Sequence, residues 1–173
     1  MSGQPGFLSG RRGLIMGVAN DRSIAWGIAR QAAEQGAELA FTFQGDALEK
    51  RVRPLAESVN AKLVAPCDVT DPDSMDNLFE QVGNTWDKID FVVHAVAFSD
   101  KAELNGRYAD TSRDNFLRTM DISCFSFTDV CRRAAPLMPD GGSLLTLSYY
   151  GAERVVPHYN VMGVAKAALE ASV

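Results

Sequence analysis

Gly13-Leu14-Ile15-Met16-Gly17-Val18, then Ala19-Asn20-Asp21-Arg22, then Ser23-Ile24-Ala25-Trp26-Gly27 is the stretch that decides the fold. Its first six residues form an apolar run and read as a strand buried on both faces. A polar loop follows. Ser23 then stands as the N-cap of a helix whose apolar positions are Ile24, Ala25, Ile28, Ala29, Ala32 and Ala33. In a strand-turn-helix of this kind a dinucleotide pyrophosphate can rest on backbone N–H groups at the helix N-terminus. Gly17 allows the turn, and Gly27 is expected to let helix and strand pack closely. The strict G-x-G-x-x-G fingerprint is absent, and Ser23 stands where a glycine is expected. An ordinary βα turn has the same outline, so the junction alone leaves both readings open.

Working outward, apolar runs alternate with helical patterns along the chain. Strands are expected over 38–43, 62–66, 89–93 and 143–148. Helices are expected over 46–59 (disturbed at Pro54), 73–86, 111–135 and from Tyr159 onward. His94 interrupts the fourth strand's apolar run and reads as a core histidine, because no second His or Cys is spaced to share a metal. Strands that read as apolar runs between helices imply a parallel sheet covered on both faces. Right-handed crossovers then give an α/β, Rossmann-type doubly wound sheet with strand order 3-2-1-4-5. The expected organisation is one dinucleotide-binding domain over residues 1–173.

Bulk properties narrow the function classes. The chain has 173 residues, 46% hydrophobic and 23% charged, which is ordinary globular composition. A net charge of −5 argues against a general nucleic-acid or membrane-surface binder. Cys67, Cys124 and Cys131 are odd in number and lack C-x-x-C spacing, which favours free thiols in a reducing compartment. Residues 1–10 have no apolar core, so no signal peptide is read there. No apolar run approaches the ~20 residues of a membrane span. The expected location is the cytoplasm, and no metal site is expected.

The other informative stretch runs from Ser148 to Lys166, just past the fifth strand. In open α/β sheets this carboxyl edge is where ligands bind. Tyr159 and Lys166 are seven residues apart. On an ideal helix they sit about 20° from alignment with ~10 Å of rise between them. One face would then carry a phenol and an ammonium two turns apart, suited to a substrate carbonyl and a cofactor ribose. Gln44 ends strand two, where such folds place the group that reads the adenosine ribose. Asp68 ends strand three, where it can meet an adenine amino group or simply cap a turn. Met120, Phe125, Phe127, Val130 and Cys131 stripe the long helix, which reads as core or subunit interface.

Three motifs together carry a family resemblance. They are Gly17 with Ser23-Ile24-Ala25-Trp26-Gly27, the segment Leu147-Ser148-Tyr149-Tyr150-Gly151-Ala152-Glu153-Arg154, and Tyr159-Asn160-Val161-Met162-Gly163-Val164-Ala165-Lys166. The chain closely resembles bacterial NADH-dependent enoyl-acyl-carrier-protein reductases, a divergent branch of the short-chain dehydrogenase/reductases. No tyrosine here has a lysine four residues later, which separates it from Tyr-x3-Lys relatives. The resemblance implies reduction of the trans-2 double bond of enoyl thioesters in fatty-acid synthesis, with NADH as cofactor. Its expected partners are acyl carrier protein and other copies of itself, in a homotetramer. It implies that Tyr159 holds the thioester oxygen, that Lys166 binds the nicotinamide ribose and that Tyr149 lines the acyl pocket. Gly17, Ser23 and Ile24 are implied at the pyrophosphate. Gln44 falls near the adenosine ribose, Asp68 and Val69 at the adenine, Val96 along the cofactor and Ser99 at the substrate. Ala97 stands where some members carry glycine, which should only narrow the pocket. Val173 falls in mid-helix with no stop signal, so the C-terminal portion of the family fold is expected to be absent.

Overall fold

The computed structural model describes residues 6–173, so the first half of the 1–10 segment lies outside it. Two compact units emerge: one holds the residues up to Ala95 plus Arg132–Leu145, the other Val96–Cys131 plus Thr146–Val173.

The first unit carries the sheet. Its elements are β1 (Arg12–Met16), α1 (Ile24–Glu34), β2 (Glu38–Phe43), α2 (Asp46–Ser58), β3 (Leu63–Pro66), α3 (Pro72–Thr85) and β4 (Phe91–His94). β5 (Ser143–Thr146) adds the last strand, its final residue falling to the other unit. The order is β3-β2-β1-β4-β5, as the alternation predicts. β1 pairs in parallel with β2 and β4, and β2 pairs in parallel with β3. Successive crossovers run β1 to β2 to β3 in one direction, and β3 to β4 reverses it. With right-handed connections, α1 and α2 cover one face and α3 the other.

The burial pattern follows the pleat. Ile15, Leu39, Phe41 and Val93 pack with Ala25, Trp26, Ala29 and Ala32 of α1 and with Val52 and Ala56 of α2. Leu14, Met16, Ala40 and Val92 alternate with them along the strands and are buried as well. The small alanines of α1 let the helix lie close to the sheet, while Trp26 fills the gap beside Phe41, with ring centroids 6.3 Å apart. His94 ends β4 fully buried, in keeping with a core histidine. Helix α2 does not break at Pro54 but continues to Ser58. Proline removes one N–H from the ladder, and the remaining bonds carry the helix past it.

The second unit is helical. α4 (Arg113–Met120) is capped by Ser112, whose hydroxyl accepts from the Asn115 N–H at 3.2 Å. The single long helix expected over 111–135 is interrupted: Asp121–Phe125 is a π-turn, and α5 (Ser126–Ala134) continues beyond it, its residues from Arg132 on falling to the first unit. α6 (Asn160–Ala171) packs on α4, on the π-turn and on short 3-10 turns at Lys101–Leu104 and Tyr150–Ala152. Phe127 and Val130 of the expected stripe are buried, whereas Phe125 is exposed.

Candidate active site

In the first unit the glycine turn is built as the sequence suggests, with one correction. Gly17 has φ +94°, and a Cβ there would lie 2.0 Å from the Ala95 carbonyl oxygen. Any side chain is excluded both by the conformation and by the neighbouring strand end. Ser23 is the N-cap of α1, but its hydroxyl does not cap the helix. It turns back and accepts from the N–H groups of Ala19 and Asn20, each at 3.0 Å. The loop is thereby drawn tight, and the Ser23 side chain leaves the first amides of α1 uncapped. Exposed amides with the helix dipole behind them suit a phosphate. Ile24, also assigned to the pyrophosphate, opens that first turn and is exposed. Gly27 is not needed for close packing, because a Cβ there would meet nothing within 4 Å. Helix and sheet approach through Ala25 and Ala29, while Gly27 faces a groove of about 990 Å³ shared with Ile24, Ile28 and Leu145.

Gln44 and Asp68 come together, because β2 and β3 are adjacent and both residues follow strand ends. Asp68 Oδ1 accepts from the Thr70 N–H at 2.9 Å and from its hydroxyl at 2.7 Å. Partial burial works to raise its pKa, but the bonds from Thr70, with one from the Gln44 side chain, hold the carboxyl below its ordinary value. Asp68 is thus both the turn-capping aspartate and an ionised group beside Gln44. Val69 sits half-buried within the same turn.

The second unit gathers the tyrosines and the lysine. Lys166 is only 6% exposed, and its Nζ donates to the Leu147 carbonyl at 2.7 Å, just past β5. Burial lowers its pKa, with Cys124 opposing that shift. Tyr159 stands one residue before α6, as its N-cap, so the ideal helical rise from Tyr159 to Lys166 does not hold at its first step. Its ring lies against Gly151, where an added Cβ would come within 2.4 Å of the ring. Tyr149 meets it edge-on, with centroids 4.9 Å apart and planes at 64°. Burial raises the Tyr159 phenol above its ordinary value and Tyr149 adds to the effect, so the group is a protonated donor at neutral pH. A cavity of about 410 Å³ opens beside it, lined in part by Tyr108, Val156, Tyr159, Asn160 and Val164.

Val96 and Ser99 follow β4 in this unit, Val96 half-buried. The Ser99 hydroxyl is engaged by α4: it accepts from Thr119 Oγ1 at 2.9 Å and from Asn115 Nδ2 at 3.2 Å. The π-turn aims Ser123 at the same segment, its hydroxyl donating to the Phe98 carbonyl and accepting the Phe98 N–H, both at 3.0 Å. The π-turn also brings Cys124 near Lys166. Neither Ser123 nor Cys124 has a signal in the local pattern. π-turns inside helices frequently mark functional sites.

A five-stranded parallel sheet with a glycine turn at its first strand-helix junction defines a Rossmann-type fold of the α/β class. The chain belongs to the enoyl-(acyl carrier protein) reductase family, whose model matches residues 17–173. It is 66% identical over 173 residues to the NADH enoyl-[acyl-carrier-protein] reductase 1 of Rhizobium meliloti (strain 1021), covering all of this chain and 64% of that one. The solved structure of the Anaplasma phagocytophilum reductase in complex with NAD superposes with a TM-score of 0.95 at 61% identity, over 98% of this chain and 65% of that one. The Bacillus cereus enoyl-acyl carrier protein reductase, solved with NADP+ and an indole naphthyridinone, gives 0.94 at 50% identity, over 97% of this chain and 66% of that one. No helix among the described residues is long and apolar enough to cross a membrane.

Proposed function

We propose that the protein reduces the trans-2 double bond of enoyl thioesters carried on acyl carrier protein, using NADH, in bacterial fatty-acid synthesis. The observation that carries this reading is the pair of edge-to-face tyrosines beside α6, with Lys166 buried further along that helix. The dinucleotide site fits the residues present: Gly17 has no room for a side chain, and the first amides of α1 carry no side-chain cap. When bound, the nicotinamide supplies a hydride to the β-carbon of the substrate.

The chain's own residues handle the charge that follows. Negative charge collects on the thioester oxygen, and the Tyr159 phenol, protonated at working pH, donates a hydrogen bond to it. Lys166 holds the ribose hydroxyls and adds a positive field. Tyr149 holds the Tyr159 ring in place and lines the acyl pocket. Gln44, Asp68 and Val69 form the adenosine end, Ser23 and Ile24 the pyrophosphate side. Val96 runs along the cofactor, and Ser99 borders the substrate. We place the protein in the cytoplasm as a single dinucleotide-binding domain that assembles into a homotetramer.

The two principal roles separate by experiment. Lys166→Ala is expected to weaken NADH binding and turnover together. Tyr159→Phe acts on charge present only in the transition state, so kcat is expected to fall by about 10²-fold with NADH affinity nearly unchanged. Fluorescence titration of NADH with steady-state kinetics on both variants checks this. Equal loss of NADH affinity in the two would contradict the division of roles.

A further inference from the structure

We propose that Asn160 is a positioning residue for Tyr159, clamping its backbone by gathering the carbonyls of the 103–106 loop. The proposal rests on the assignment of Tyr159 above. Tyr159 lies between two left-handed residues, His158 at φ +61° and Asn160 at φ +34°. Neither is glycine; L side chains adopt this region uncommonly, asparagine and histidine more readily than most. Asn160 is held by its own side chain. Its Nδ2 points into a cup of three backbone carbonyls, those of Glu103 at 3.2 Å, Gly106 at 3.4 Å and Asn105 at 3.5 Å. An amide NH2 has two hydrogens, so it can serve two of these at once and share with the third.

The cup is itself fixed. The Glu103 carboxylate accepts from the N–H and the hydroxyl of Ser112, each at 2.8 Å, which ties the loop to the start of α4. Asp100 caps the turn at Lys101–Leu104, and its N–H donates to Asn115 of α4 at 2.9 Å. A continuous line of bonds thus runs from α4 through the loop to Asn160, and Tyr159 is the next residue. The ring itself lies against Gly151 and Tyr149. With the ring seated there, a shift of the backbone at Asn160 displaces the phenol from the reacting oxygen. Misplacement of a reacting group by about 1 Å can cost up to ~10²-fold in rate.

The test uses two substitutions in the full-length enzyme. Asn160→Asp keeps the shape and tolerance for left-handed backbone but cannot donate. Asn160→Gly relieves the backbone demand and removes the clamp. Each is expected to lower kcat about tenfold or more while KM for NADH stays within about twofold. In a Tyr159→Phe background the same substitutions are expected to cost nothing further, because Asn160 acts through the phenol. The ε-13C resonance of Tyr159, assigned from the Tyr159→Phe spectrum, is expected to shift in both variants. Asn160→Asp turning over at the parent rate with an unmoved Tyr159 resonance would overturn the proposal, as would a loss that repeats in full in the Tyr159→Phe background. A Tyr159→Phe enzyme with normal turnover would instead remove the role of Tyr159 itself, and the proposal with it.

Discussion

At the scale of single residues, the proposed site makes cofactor choice turn on Gln44 and Asp68. Gln44 is neutral and offers no guanidinium to a ribose 2′-phosphate. Its neighbour Asp68 is held ionised by Thr70 and Gln44 itself, which places a negative charge at the end of the proposed adenosine site. A 2′-phosphate brought there meets like charge. NADH is therefore expected to bind at least about tenfold more tightly than NADPH, or ~1.4 kcal/mol. Calorimetric titration of the two cofactors checks this, and comparable dissociation constants would contradict it. The Bacillus cereus relative was solved with NADP+, so the comparison is worth making on this sequence.

At the scale of elements, the β3-α3 junction couples stability to pH. Cys67 follows β3 with its sulfur 3.5 Å from that of Met75 on α3. Burial, helped by the charge of Asp68 and opposed by Arg133, pushes its thiol from 9.0 up to about 12. An acid whose folded pKa is raised keeps its proton longer in the native state. Its contribution is fully present below pH 9 and is lost as pH rises toward about 12. Tyr159 acts in the same sense above its ordinary value of 10.0. Lys166 acts in the opposite sense, since its lowered pKa lets stability recover as pH rises through it. Comparing the parent with Cys67→Ala isolates the thiol. Urea unfolding from pH 8.5 to 11 is expected to show the parent losing stability more steeply, by up to ~1.4 kcal/mol per pH unit. Parallel curves would contradict the assignment. The same elements show what the sequence made legible. Strand order followed from apolar runs and the handedness of crossovers, while Tyr159 and Lys166 stood out by their spacing and Tyr149 only through the family resemblance. The π-turn at Asp121–Phe125 was hidden, because the residue it engages, Phe98, is far away in sequence. Gly27 misled in the other direction, since an open groove and a crowded interface call for the same residue. The role of Asn160 is set by a backbone angle and by carbonyls more than fifty residues distant, which no local pattern encodes.

At the scale of the whole molecule, the second unit presents apolar side chains to solvent. Leu117 and Phe125 are each 57% exposed on the α4 side, and Val155 is fully exposed in the loop before α6. Such a surface is expected to be covered by other copies of the chain. A protein of the relatives' full length is expected to be a homotetramer by light scattering, and Phe125→Asp is expected to shift it toward smaller species; a monomer mass for the parent would contradict this. The central claim is the reaction itself. In ketone reduction the hydride and the proton donor meet at one carbonyl. In conjugate reduction hydride lands on the β-carbon while charge appears on an oxygen further along the substrate. A tyrosine set seven residues from Lys166, the lysine proposed to hold the ribose, and ahead of α6, suits the second geometry. The most direct measurement is NADH oxidation by the full-length protein with two substrates of equal chain length, a trans-2-enoyl and a 3-keto thioester. Turnover of the enoyl substrate with the 3-keto thioester left untouched is the expected result; faster turnover of the 3-keto thioester would contradict the account.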